Sequence, residues 1–172
     1  ELRTPLNGII GLADSLLDGI AGRLPKKAIH DLSMIVSSGR RLSTLINDIL
    51  DFEKLKHKEL ALQSKPLDLN TLTNIVLILS QPLVKDKPLQ LINHMTADLP
   101  LVSADENRVQ QILHNLVSNA IKFTAEGGQV IVSAVLEKDG DLVLRVRDTG
   151  IGMDEVDIAT AMEPFRQADL RG

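Results

Sequence analysis

Asn115, Asn119 and Lys122 stand at i, i+4 and i+7 of one apolar-periodic stretch, Asp105 to Thr124. A helix places all three on one side. Two carboxamides and an ammonium in a row are poor packing material. The carboxamide oxygens are hard donors that suit a metal ion among phosphate oxygens, and the lysine adds a point charge. A solvated helix flank is the plain alternative for the same stripe. A second group, Asp148-Thr149-Gly150-Ile151-Gly152-Met153, follows directly on an alternating stretch. An acid at a strand end can accept a hydrogen bond from an exocyclic amine such as that of adenine. The two glycines let the backbone turn tightly beside a ligand. Alone, this DxGxG is an ordinary strand-ending turn; downstream of the asparagine stripe it carries more.

These residues need rigid elements behind them. The stretch Asp105–Thr124 reads as a helix with Asp105 as N-cap and Glu106 at the positive end of the dipole. Val109, Ile112, Leu113, Leu116, Val117, Ala120 and Ile121 form its apolar face. Before it, the chain starts in a helical pattern over residues 1–20, where Leu2, Leu6, Ile9, Ala13, Leu16 and Ile20 alternate in steps of four and three. That spacing is a seam for a partner helix, with Pro5 expected to bend it. A longer helix, Lys26 to Lys56, repeats the step with Ala28, Leu32, Ile35, Gly39, Leu42, Ile46 and Ile49. The pair predicts an antiparallel hairpin too apolar to stand alone. A symmetric homodimer forming a four-helix bundle covers it.

After Lys56 the pattern changes to a proline-bearing edge strand near Pro66. A helix from Asn70 to about Lys85, capped by Asn70, follows, then strands over Leu89–Thr96 and Leu101–Ala104. Beyond the Asp105 helix, Gln129–Glu137 and Asp141–Asp148 alternate as strands joined through Lys138-Asp139-Gly140. The predicted fold is α+β: a helical hairpin over residues 1–58, then an α/β sandwich over 59–172 with one sheet and helices on one face.

Composition excludes several functions. The 172 residues are 44% hydrophobic and 24% charged, with a net charge of -4. That balance gives no basic footprint for nucleic acid. Cysteine, tryptophan and tyrosine are absent, and phenylalanine occurs only at 52, 123 and 165. Thiol chemistry and base stacking on aromatic platforms are therefore out of reach. No apolar run approaches the roughly 18 residues of a membrane span. The expected location is cytoplasmic, with any membrane anchor in segments outside this chain.

Four motifs occur in order: ELRTPLNGII, DENRVQQILHNLVSNAIKFT, DTGIGM and EPFRQAD. Together they resemble the H, N, G1 and F boxes of the sensor histidine kinases of two-component signalling, over essentially the whole chain. The resemblance implies a dimerisation and phosphotransfer hairpin followed by a Bergerat-type ATP-binding domain, with ATP and Mg2+ as its cofactors. It makes Asn119 the magnesium ligand and Asn115 its helper one turn earlier. Lys122 would touch phosphate, Asp148 the adenine amine, and Gly150 and Gly152 would shape the pocket edge. Phe165 would anchor the start of the ATP lid. In the hairpin, Glu1 would be the general base beside the phosphoacceptor, and Thr4 would position water when the phosphorylated form is hydrolysed. The implied activity is autophosphorylation on histidine, then phosphotransfer to an aspartate on a response-regulator partner.

Two departures accompany the match. The acceptor histidine should stand one residue before Glu1, and the second glycine box should follow Asp169; neither lies within residues 1–172. Of the four histidines, His30 and His57 fall near the second helix, His94 alternates within a strand, and His114 points about 100° away from Asn115 around the helix. None is expected to bind metal. The competing function is a dimeric pseudokinase or scaffold that controls a partner without phosphotransfer. A Bergerat ATPase of another type would carry an acidic base where Asn115 stands.

Overall fold

The computed structural model describes residues 3–57, 61–85 and 87–163. It divides into two compact units, Glu1–Ala61 and Leu62–Gly172. Glu1 and Phe165 lie outside the described residues.

The first unit is a helical hairpin, α1 (Arg3–Leu17) and α2 (Lys26–Lys56), with the second helix as its periodicity predicts. Leu6 and Ala13 of α1 are buried, as are Val36 and Gly39 of α2. Only part of each predicted seam closes within the hairpin. Ile9 and Leu16 on the first limb, and Ile35, Leu42 and Ile49 on the second, stay exposed in the single chain, as does Ile20, which falls in the turn after α1 rather than in the helix expected to residue 20. An exposed ion pair, Asp14 to Arg40 at 2.9 Å, ties the limbs together. Such surface pairs contribute about 0–1 kcal/mol, so apolar contact holds the hairpin. Lys54 and Lys56 in the last turn of α2 complement its dipole.

The second unit has strands β1 (Lys65–Leu67), β2 (Gln90–Asn93), β3 (Val102–Ala104), β4 (Gln129–Leu136) and β5 (Leu142–Asp148). Its helices are α3 (Leu69–Ser80), α4 (Glu106–Phe123) and the short α5 (Glu155–Ala161). The single predicted sheet is in fact two. β1 and β3 form an antiparallel ribbon, while β2, β4 and β5 make a three-stranded sheet in that order. The ribbon stays short because Pro66, opposite Ser103, has no N–H to donate. β2 runs parallel to β4, and β4 antiparallel to β5, with Val130 opposite Asp148. Alternation along β4 turns Val130, Val132 and Ala134 inward. Val130 and Val132 meet Val76 and Leu77 of α3 and Leu113, Val117, Ala120 and Ile121 of α4. Burying a valine or leucine side chain fully contributes about 1.5–3 kcal/mol. This layer therefore fixes where α4 lies.

Two predicted details change. Asp68, not Asn70, caps α3, since its carboxylate accepts from the N–H groups of Asn70 (2.9 Å) and Thr71 (3.2 Å). The Asn70 side chain instead accepts from Asn93 at 2.7 Å. The helix stops at Ser80 rather than running to Lys85, because Pro82 starts a 3-10 turn over Gln81–Val84.

Asp105 caps α4 as predicted and also ties in the chain before β1. It accepts from the Arg108 N–H at 3.3 Å and the Gln63 N–H at 2.9 Å. The Gln63 bond is the main reason its pKa is lowered. Asp68 is likewise lowered, first by the Thr71 hydroxyl. Both groups hold their charge better folded than unfolded. Their stabilisation is complete above the unfolded value of about 3.9 and is lost as pH falls through the lower folded values. The melting temperature of this unit should therefore drop on acidification below about pH 4. The D68N/D105N double variant, which removes both titrating charges and one acceptor oxygen at each cap, should melt lower at neutral pH but show a shallower drop on acidification by thermal denaturation.

Candidate functional site

The inner face of α4 is narrower than its apolar periodicity suggests. Leu113, Val117, Ala120 and Ile121 are buried, but Ile112 and Leu116 are 56% and 46% exposed. They border the open side that carries Asn115, Asn119 and Lys122, all exposed. That stripe is as predicted. Among the described residues, neither the Asn115 nor the Asn119 carboxamide makes a hydrogen bond; the Asn115 backbone carbonyl accepts from Ser118 at 3.1 Å. The Lys122 ammonium lies 4.7 Å from the centroid of the Phe123 ring. Free carboxamide oxygens one turn apart on an open helix face fit a hard divalent cation that takes its other ligands from phosphate and water.

The Asp148 loop meets the C-terminal end of this helix. Thr149 extends the strand pairing by one step. Its N–H donates to the Gln129 carbonyl at 3.1 Å, and its Oγ1 accepts from the Gln129 N–H at 3.0 Å. Asp148 Oδ1 accepts from the Gly150 N–H at 2.8 Å, which orients the carboxylate and leaves Oδ2 for an incoming donor. The Ile151 N–H then donates to the Phe123 carbonyl at 3.3 Å. Gly150 is required for room: a Cβ there would sit 2.5 Å from the Phe123 carbonyl oxygen and 2.7 Å from Asp148 Oδ1. Gly152 is required for conformation, with φ of 71°.

The fold thus brings Asn115, Asn119, Lys122, Asp148, Gly150 and Gly152 into the one unit, on two segments joined at Phe123. Thr4 is exposed on α1, in the other unit. His30, His57, His94 and His114 are all exposed. Among the described residues no three His, Cys, Asp or Glu side chains form a cation cluster. Several supporting residues escaped the sequence reading. Thr149 was visible inside its motif but had no assigned role. Thr124 is fully buried, and its hydroxyl donates to the Ala120 carbonyl at 2.7 Å. Lys87 reaches the same helix end from far along the chain, donating to the carbonyls of Ile121 at 3.1 Å and Lys122 at 3.2 Å. No local pattern announces such a bond.

Two family models match. Residues 1–58 match the His Kinase A (phospho-acceptor) domain. Residues 104–172 match the histidine kinase-, DNA gyrase B- and HSP90-like ATPase. The cell-division control histidine kinase PdhS of Brucella suis is 40% identical over 168 residues, 97% of this chain and 16% of that protein. PdhS of Brucella anthropi is 39% identical over 170 residues, 98% of the chain and 16% of that protein. The chain thus spans 16% of the length of these curated relatives. Among solved structures, full-length ShkA in complex with AMPPNP superposes with a TM-score of 0.82 at 35% identity, covering 98% of this chain and 36% of that one. The Acinetobacter baumannii histidine kinase AdeS shares the fold, with a TM-score of 0.66 at 23% identity over 91% of this chain and 76% of its own. Among the described residues no helix is long and apolar enough to cross a membrane.

Proposed function

The chain belongs to the sensor histidine kinases of two-component signalling, and from that premise we propose that it is the dimerising, phosphotransfer and ATP-binding part of an ATP:protein-histidine phosphotransferase. The observation that carries the reading is the junction at Phe123. It joins the helix that carries the free carboxamide stripe to the strand-ending loop that orients the Asp148 carboxylate. The complex of ShkA with AMPPNP supports a nucleotide as the ligand of this chain. That the relatives are named as histidine kinases favours catalysis over a scaffold without phosphotransfer.

In this mechanism Asp148 Oδ2 accepts from the adenine amine, and Gly150 and Gly152 keep the pocket edge open. Asn119, helped by Asn115, would hold Mg2+, which would supply positive charge to offset that on the transferring phosphate. Lys122 leaves its place over Phe123 to touch phosphate, and Phe165 anchors the lid. The acceptor is a histidine immediately before Glu1. Its imidazole nitrogen forms the new N–P bond as the bond from the γ-phosphorus to the ADP oxygen breaks, and Glu1 holds the imidazole proton. The chain does little covalent work beyond positioning. An amide at Asn115, in place of an acid, puts no carboxylate at that position to activate water, which favours an external nucleophile as the acceptor.

The phosphoryl group then passes to an aspartate of a response regulator docked along Leu6 to Ile20 and the facing helix. Thr4 positions water for hydrolysis of the phosphorylated form. The apolar residues left exposed on both limbs of the hairpin support a homodimeric four-helix bundle. The domains assigned are residues 1–58 and 59–172, and the setting is cytoplasmic. The test is incubation of the full-length protein with γ-labelled ATP and magnesium. The expected product is a label on the protein that is acid-labile and alkali-stable. An acid-stable label, or label released only as free phosphate, contradicts the assignment.

A further inference from the structure

The C-terminal end of α4 has no glycine cap. Thr124 leaves the helix in an extended conformation, φ -90° and ψ 133°, so no left-handed residue returns an N–H to the last carbonyls. All four are nevertheless paired. Ala120 accepts from the N–H and hydroxyl of Thr124, at 3.0 and 2.7 Å. Phe123 accepts from Ile151. The two between them, Ile121 and Lys122, both depend on the Lys87 ammonium. Lys87 is half-buried, and among the described residues no carboxylate pairs with it. Its charge therefore faces the negative end of the helix dipole. The backbone beside it completes a strap: the Pro88 carbonyl accepts from the Gly127 N–H at 2.7 Å, and the Gln90 N–H donates to the Gly128 carbonyl at 3.0 Å.

We propose that Lys87 is a positioning residue for the nucleotide site. Its ammonium holds the last turn of α4, from which Lys122 projects, one turn beyond Asn119. The Asp148 loop rests on the same turn through Ile151. Lys87 thereby sets the spacing between the adenine end and the metal edge. The role rests on the nucleotide reading given above. A lysine that only stabilised the fold would loosen the whole unit when removed. A positioning lysine loosens one junction.

K87M and K87R in the full-length protein separate these. Calorimetry with ATP and magnesium should show K87M weaker by about tenfold or more, because two charge-assisted bonds are lost. K87R, which can still donate to both carbonyls, should recover most of the affinity. Hydrogen exchange should quicken at the Ile151 amide in K87M, while the amides of Leu113 and Val117 keep their protection. Wild-type affinity in K87M, or equal loss of protection at Leu113 and Val117, overturns the proposal. K87Q gives the same readouts if K87M does not fold. Asn119→Ala run alongside tells the two failures apart. If it also binds ATP normally, the nucleotide reading itself fails; if K87M alone is neutral, only the role of Lys87 fails.

Discussion

Asn119→Ala in the full-length protein should lose magnesium-dependent ATP affinity by about a hundredfold or more while melting at or slightly above the wild-type temperature. The two halves of that result have separate causes. The Asn119 carboxamide is exposed and makes no hydrogen bond among the described residues, so truncation opens no cavity and orphans no partner. Alanine is also the better helix former by a few tenths of a kcal/mol. What is lost is the oxygen donor. Removing groups that merely support a metal ligand already costs about 10–100-fold. Calorimetry with and without magnesium reads this directly. The variant should bind ATP in magnesium no better than the wild type binds it in a chelator. Unchanged affinity in magnesium would sink the assignment of the stripe. Asn115→Ala should follow the same direction with a smaller loss.

Gly150→Ala should damage stability and nucleotide recognition together. Its Cβ would stand 2.5 Å from the Phe123 carbonyl oxygen, and that oxygen belongs to the backbone of a helix end packed on the core. The loop is the part that must yield. Moving it strains or breaks the bond from Ile151 to Phe123 and the one from Gly150 to Asp148, so the carboxylate loses its orientation. Forcing an added carbon into a filled space costs about 1–3 kcal/mol. ATP affinity should fall by about tenfold or more, and preference for ATP over ITP, which lacks the exocyclic amine, should shrink. An alanine variant that keeps both the melting temperature and that preference would show that the loop is not pinned as described.

Much of this architecture was legible because its determinants are local and repeated. The α2 limits follow from a long four-three pattern, and Asp105 was identifiable as a cap by its place ahead of an apolar run. The stripe on α4 needed only helical arithmetic. What stayed hidden depends on residues far apart in sequence. Ile112 and Leu116 fit the helical period as well as Leu113 does, but only packing decides which of them the sheet covers. Two sheets instead of one, and Asp68 instead of Asn70 as a cap, turn on which of several competent groups finds a partner. Lys87 is the extreme case. A flexible lysine next to Pro88 has no periodicity to betray it, and its partners stand in the last turn of a helix 34 and 35 residues further on.

The strand order also bears on how the chain comes off the ribosome. The middle strand of the three-stranded sheet is β4, yet its parallel partner β2 is made first, with β3 and all of α4 synthesised in between. β2 must wait, unpaired, until Gln129 to Val132 emerge. Non-local parallel pairing of this kind is slow, and unpaired strands invite aggregation. β4 and β5, joined by a tight turn, can zip as soon as they appear. The candidate site is therefore assembled only after β4 and β5 have emerged, when Asp148 arrives at the end of β5 and the loop after it closes onto a helix that already exists.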